Sequence, residues 1–268
     1  MAKKDFFKGK VVWITGASSG IGEALTYEMC RQGADLIISA IDPEGLERVK
    51  ANCSSFQSDI ICAPFDLAKT ETIGELVDEM VQKKGRIDYL FNIGGISQRS
   101  RIEETPLWLD RKIFEINFFG TIALSKAVLP YMIKQHSGHI IATSSITGRF
   151  GFPLRSAYSS SKQALHGFIE TLYLENKQNN VKSSILIPGR IRTNISFHAL
   201  EKDGKEHGKL DDGQANGITP EKAAKQIVRG VMKNKREILV GSTEIAMLFI
   251  RRLCPWLFFR IADKIQST

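Results

Sequence analysis

Apolar residues in this chain fall in short runs separated by longer stretches of helical period. The first run, Val11-Val-Trp-Ile-Thr15, ends in a glycine-rich turn from Gly16 to Gly22, after which residues 23–31 continue with helical character. Further apolar runs occupy 34–40, 59–65, 87–95, 139–143, 181–187 and 238–240. Between them, 69–84, 107–132, 156–176 and 220–233 repeat their apolar positions at helical spacing, and Pro43 opens another helix. Short continuous apolar runs suit strands covered on both faces. Strands alternating with helices predict one α/β domain, doubly wound, with a mostly parallel seven-stranded sheet and helices on both faces. No composition shift divides residues 1–241. Within them, 194–217 is rich in Gly, Lys and Asp around an apolar island at 195–200, and so long a loop reads as a mobile lid.

Composition adds limits rather than a function. An apolar content of 43% and a charged content of 25% over 268 residues suit a globular domain with a sizeable core. No run of 18 apolar residues exists, and the N-terminus lacks the apolar core of a signal peptide, so a cytoplasmic location is expected. Cys30, Cys53, Cys62 and Cys254 form no C-x-x-C pair, and neither metal nor disulfide is indicated. The net charge of +8 gathers at the two ends, with Lys3, Lys4, Lys8 and Lys10 at one of them. Without interleaved aromatics it does not suggest nucleic acid, and it reads as a solvated basic surface or one facing anionic lipid. The tail, 242–268, is basic, aromatic and interrupted by Pro255, and Arg251 and Arg252 make it unfit to span a bilayer. It is expected to pack over a pocket or a neighbouring subunit, or to lie on a membrane surface.

Candidate chemistry sits at the ends of the apolar runs. Gly16 can make a tight turn, Gly20 lets backbone approach a ligand, and Gly22 lets a helix pack close, so the helix start faces a pyrophosphate. The second run ends in Ala40-Ile41-Asp42, without an acid at 40 or a base at 41. Asp42 either reaches a ribose or caps the helix that Pro43 begins. Asp66-Leu67 can meet an adenine, and Gly94-Gly95 mark another close backbone passage. Asn117 interrupts a long helical pattern, either exposed without consequence or marking a useful distortion. Tyr158 and Lys162 are four apart on a helix and share a face, where a fixed cation lowers a phenol toward neutral pH and makes it an acid and base. Ser145, ending the 139–143 run, can hydrogen-bond a substrate oxygen opposite Tyr158.

Together these motifs resemble the classical short-chain dehydrogenase/reductase family from Lys10 to about Gly241: Thr15-Gly-x-x-x-Gly20-x-Gly22, Asp66, Asn117, Ser145, Tyr158-x-x-x-Lys162 and Pro188-Gly189 with Thr193. The family's Asn-Asn-Ala-Gly is here Asn92-Ile93-Gly94-Gly95. The resemblance implies a Rossmann domain and hydride transfer between NAD(H) or NADP(H) and a small-molecule carbonyl or alcohol. It implies that Tyr158 moves the proton, Ser145 holds the substrate oxygen, Lys162 binds the nicotinamide ribose, and Asn117 supports a water relay to Lys162. It implies a cofactor held by Gly16, Ser18, Ser19, Gly20, Ile21, Gly22, Asp66, Leu67, Asn92, Gly94, Tyr158, Lys162, Pro188, Gly189, Ile191 and Thr193. Family members are commonly dimers or tetramers, so a homodimer or homotetramer is expected. Ile96, Phe150, Phe152, Leu154, Phe197 and Leu200 favour a lipophilic substrate. The rival readings are a cofactor-binding regulator without turnover, an extended-branch sugar-nucleotide epimerase or dehydratase, and a peripheral membrane-binding protein.

Overall fold

The structure is a computed structural model and describes residues 6–262; Lys3, Lys4 and residues 263–268 of the tail lie outside them. Its strands are β1 Val11–Thr15, β2 Asp35–Ser39, β3 Ile60–Cys62, β4 Tyr89–Asn92, β5 Gly138–Thr143, β6 Val181–Pro188 and β7 Glu237–Val240. Its helices are α1 Gly20–Arg31, α2 Pro43–Asn52, α3 Ile73–Lys84, α4 Leu107–Phe114, α5 Gly120–Lys134, α6 Ser156–Asn176, α7 Asp212–Ala215, α8 Pro220–Met232, α9 Ala246–Leu253 and α10 Pro255–Ala262. The strands form one sheet in the order β3-β2-β1-β4-β5-β6-β7. Every pairing is parallel. The order reverses between β1 and β4, and the carboxyl ends of the strands there open the crevice in which such sheets bind ligands.

Alternation along each strand divides the core in two. Val12, Ile14, Leu36 and Ile38 face Leu25, Met29, Leu46, Ile227 and Val228 of α1, α2 and α8. Val11, Trp13 and Ile37 face Val77, Leu124, Val128, Leu165 and Ile169 of α3, α5 and α6. Successive side chains on opposite faces, both covered, account for the continuous apolar runs in the sequence.

Three expected elements are shorter or more irregular than their apolar pattern. The 59–65 run is regular strand only over β3, although the amides of Ala63 and Phe65 still donate to the Ile38 and Ala40 carbonyls of the β2 side, at 2.9 and 3.1 Å. The 87–95 run leaves the sheet after Asn92, where Thr15 Oγ1 accepts from the amides of Ile93 and Gly94, both at 3.0 Å. The helical pattern from 107 is continuous through Lys134 but contains a π turn, Glu115–Phe119, between α4 and α5. That stretch, Leu107–Lys134, is long and apolar enough by composition to cross a membrane, yet its Leu124, Val128 and Met132 pack into the sheet-facing core.

Segment 194–217 is more ordered than a plain loop. Leu200 bridges to Gln98 and to Glu206, α7 follows, and Ile191 bridges to Ile218 at its close. The tail packs over the pocket, one of its expected placements. α9 and α10 fold back so that the Phe258 ring, 3% exposed, lies 4.8 Å from that of Phe150. Phe249, Leu253, Trp256 and Phe259 remain exposed on their outer side.

Candidate active site

The glycine loop is built for backbone contact. Gly16 and Gly20 hold φ of +64° and +55°, which glycine adopts at little cost. A Cβ on Gly16 would stand 2.8 Å from the Gly94 Cα, and one on Gly22 2.1 Å from the Gly16 carbonyl oxygen. Ser19 is extended at the N-cap of α1 and its side chain makes no cap bond, leaving the first-turn amides of Gly20, Ile21 and Gly22 to a ligand. Thr193 packs its methyl group against Gly20, since a Cβ there would lie 3.1 Å from Thr193 Cγ2. This cradle fits the pyrophosphate of a dinucleotide.

Along the sheet edge, Asp66 Oδ1 accepts from the Ala68 amide at 2.9 Å. Leu67 lies under both Gly94 and Gly120, whose missing Cβ atoms make room for it. Asn92 is buried at the end of β4, donating to Ser125 Oγ at 3.2 Å and to the Ile141 carbonyl at 3.4 Å. Its Oδ1 has no partner among the described residues. Asp42 takes the capping role: its Oδ1 accepts from the Gly45 amide at 3.0 Å. The Asp42 carboxylate and Ser18 both crowd the place of a Gly45 Cβ, so they lie side by side. Arg48 reaches the same corner, donating to Glu23 at 2.6 Å and to the Ser18 carbonyl at 2.7 Å.

Asn117 resolves to the distortion. It sits inside the π turn, fully buried. Its Oδ1 accepts from the Ile96 amide at 2.8 Å, and its Nδ2 donates to the Ile96 carbonyl at 2.9 Å and to Ser161 Oγ at 3.2 Å. The wide turn thus pins the loop after β4 to α6.

One cavity is lined by Ile21, Gly95, Ser145, Tyr158, Lys162, Pro188, Gly189, Ile191 and Thr193, which joins three of the four expected catalytic residues to part of the expected cofactor site; Asn117, most of the glycine loop, Asp66, Leu67, Asn92 and Gly94 lie outside its lining. Ser145 Oγ accepts from the amide and hydroxyl of Thr147, both at 3.2 Å, so its own proton is free for the phenol or a substrate oxygen. Lys162 Nζ donates to the Thr143 carbonyl at 2.8 Å and stands 5.9 Å from the centre of the Tyr158 ring. Gln98 caps α6 from the neighbouring loop, accepting from the Ala157 amide at 2.9 Å.

The electrostatics correct one expectation. Burial raises the Tyr158 phenol above its usual range; the Ser145 hydrogen bond and then the Arg155 and Arg99 cations pull against it. Lys162 is not the lowering cation, because burial brings its own pKa to about 8, so it is neutral before the phenol titrates. That cost is measurable. The folded chain releases the Lys162 proton near pH 8 and the unfolded chain near 10.5, so the charge is a burden below pH 8 that fades as pH rises to 10.5. Lys162→Met is expected to be about 2 kcal/mol more stable than the parent at pH 7, allowing for the lost bond to Thr143, and no more stable above pH 10.5. Urea titrations at the two pH values check this; a gain independent of pH would show that buried charge is not its source.

Of the six apolar residues expected around the substrate, Phe150 and Phe152 line the cavity. Ile96 and Leu200 instead pack on Leu109, Ile113 and Ala157, while Phe197 is 40% exposed. Leu154 lies outside the lining and holds φ of 62°. Met247, Phe258 and Ala262 of the tail complete the wall. Arg99, Arg155 and Asp211 also line it and had no mark in the sequence beyond single charges in loop segments.

Residues 10–204 match the family described as short chain dehydrogenase. The chain is 39% identical over 261 residues to a Drosophila melanogaster dehydrogenase/reductase SDR family protein 7-like, covering 96% of this chain and 80% of that protein. It is 38% identical over 263 residues to the mouse dehydrogenase/reductase SDR family member 7B, covering 96% and 81%. Among solved structures, a Burkholderia phymatum short chain dehydrogenase/reductase in complex with NAD superposes with a TM-score of 0.82 at 23% identity, covering 94% of this chain and 95% of that one. An alcohol dehydrogenase from the archaeon Thermococcus sibiricus, complexed with 5-hydroxy-NADP, gives 0.76 at 26% identity, covering 88% and 97%.

Proposed function

We propose a catalytic reading from a plain premise: this chain belongs to the short chain dehydrogenase/reductase family. It is an oxidoreductase that transfers a hydride between a nicotinamide cofactor and its substrate. In our reading the substrate pair is a lipophilic carbonyl compound and its alcohol, worked by Tyr158, Ser145 and Lys162. The observation that carries this reading is their convergence, with Ser145 and Tyr158, on one cavity walled by Phe150, Phe152, Met247 and Phe258.

When bound, the reduced nicotinamide supplies the hydride. The chain does the rest. The glycine loop, Asp66, Asn92 and Thr193 hold the nucleotide half, and Lys162, with donors left after Thr143, holds the nicotinamide ribose. Ser145 donates to the substrate oxygen, and Tyr158 gives that oxygen its proton. A phenol raised by burial is protonated at neutral pH, which favours carbonyl reduction. Asn117 acts by holding Ile96 and Ser161 and so the floor of the site. Segment 194–217 serves as the lid, and the exposed outer side of α9 and α10 suits peripheral contact with a membrane. Phe119 at 45% exposure and Leu174 at 73% lie on α5's N-terminal side and on α6, where a homo-oligomer would cover them. Reduced-cofactor consumption with long-chain ketones and aldehydes tests the reading; no turnover of any, with intact cofactor binding, would favour a regulatory protein instead.

The corner formed by Ser18, Asp42 and Glu23 supports a reading in which NADH is the preferred cofactor. Asp42 Oδ2 is left over after capping, and the Arg48 cation is committed to Glu23, which leaves the corner hospitable to ribose hydroxyls and hostile to a 2′-phosphate. NADH is expected to bind about tenfold more tightly than NADPH, and Asp42→Asn to narrow that gap to about threefold. Nicotinamide fluorescence titrations measure both; tighter NADPH in the parent protein would refute the assignment.

A further inference from the structure

Two guanidinium groups and one carboxylate form the cavity wall beside Tyr158. Arg99 lies in the loop after β4, Arg155 just before α6 and Asp211 just before α7, with side-chain exposures of 3%, 12% and 8%. Arg99 Nη2 and Arg155 Nη2 both donate to Asp211 Oδ2, at 2.5 and 2.7 Å, and Arg99 Nε reaches Oδ1 at 3.4 Å. One positive charge is left over in a buried place, where an uncompensated charge is strongly disfavoured.

Among the described residues no carboxylate other than Asp211 forms an ion pair with either guanidinium. Glu244, also on the cavity, accepts from the backbone amides of Arg190 at 2.9 Å and Ser242 at 3.1 Å. Glu201 is taken by His207 Nδ1 at 2.8 Å, and His207 Nε2 stands 3.9 Å from Asp211. The imbalance shows in the groups themselves. Burial and Arg99 bring the Arg155 guanidinium down to about 10 despite Asp211.

Arg155 is also the cation with capacity to spare. Its Nη1 donates to the Pro153 carbonyl at 3.1 Å and its guanidinium lies 4.8 Å over the Phe152 ring, while its Nε has no hydrogen-bond partner among the described residues. It stands at the N-cap of α6, three residues before Tyr158, lines the same cavity, and lies close enough for its charge to pull the phenol's pKa down. An acidic group on Arg155 would therefore lie a few bonds from a carbonyl at Tyr158.

We propose that the substrate carries an acidic group, a carboxylate or a phosphate, which seats on Arg155 and Arg99 while its carbonyl faces Tyr158 and its apolar remainder lies against Phe150, Phe152, Met247 and Phe258. This rests on the dehydrogenase reading above and narrows its substrate class to anionic amphiphiles. Charge-assisted bonds from a planar fork suit either anion.

The test is calorimetric and needs no turnover. The NADH-saturated protein is titrated with decanoate, decyl phosphate and decanol, all below their aggregation limits. The tighter of the two anions is expected to bind at least about tenfold more strongly than decanol. Arg155→Met should reduce that preference to about twofold, and Arg155→Lys should keep part of it. Equal affinity for anion and alcohol in the parent protein, no anion binding, or a preference undiminished in Arg155→Met would each overturn the proposal. NADH affinity is read in the same samples and separates the two failures. A lost anion preference with NADH binding intact strikes the subsite alone, whereas a parent protein that binds no NADH strikes the enzyme reading beneath it.

Discussion

Tyr158→Phe is expected to cut turnover by about a thousandfold while NADH affinity changes by less than about threefold. The substitution removes one oxygen from a buried side chain and leaves its ring in place. Ser145 would still donate to the substrate oxygen and Lys162 would still hold the Thr143 carbonyl, so binding loses little. What disappears is the proton donor on the cavity that burial keeps protonated at neutral pH and that Ser145 faces directly. A carbonyl that accepts hydride without that proton must take it from water, and proton transfer by a positioned group is worth about two to four orders of magnitude. The rate is followed by nicotinamide absorbance with a ketone that the parent protein reduces. Turnover within tenfold of the parent would mean that Tyr158 is not the acid, and Ser145 would be the next group to test.

Gly22→Ala should abolish tight cofactor binding, weakening NADH by about a hundredfold, and destabilise the fold by about 3 kcal/mol. The added methyl would sit 2.1 Å from the Gly16 carbonyl oxygen and 3.1 Å from the Ala17 Cα, both backbone atoms with no rotamer to swing aside. Gly16 cannot retreat, because its own neighbour is the Gly94 backbone. The loop must therefore change shape, and with it the row of amides at the start of α1. Gly167→Ala is the matched control: it lies inside α6, where a Cβ meets nothing within 4 Å, and should raise stability by up to about 1 kcal/mol. Thermal melts and NADH titrations of both variants decide the matter. A Gly22→Ala protein that binds NADH like the parent would show that the loop has slack the geometry denies it.

Most of this architecture was legible because it is local. A strand, a glycine turn and a helix within twenty residues announce the nucleotide cradle, and Tyr158 and Lys162 share a helix face by spacing alone. Asn117 was legible as an anomaly, a poor helix former inside a helical pattern, and burial in the π turn explains it. What escaped depends on distance along the chain. Arg99 and Asp211 are 112 residues apart, and no periodicity links two single charges in two loops. The direction of the phenol's shift also escaped, since it turns on how deeply Tyr158 itself is buried, which spacing does not reveal. Four of the six apolar lining residues were misassigned for the same reason: Ile96 and Leu200 sit in the right loops but turn into a small core of their own, Leu154 and Phe197 lie outside the lining, and the tail supplies Met247 and Phe258 from the far end of the chain.

The π turn has a consequence for how the long helix can be edited. A π turn holds one residue more than an α turn, so it sets the side chains after it about 100° out of phase with those before it. Leu109 and Ile113 thereby face α6 and the loop after β4, while Leu124, Val128 and Met132, on the same rod, face the sheet. Deleting a single residue from 115–119 would restore regular winding and satisfy one half at the expense of the other. The helix is in effect two helices joined at a fixed angle of rotation, and shortening it by one residue would do more harm than changing any one of its exposed side chains.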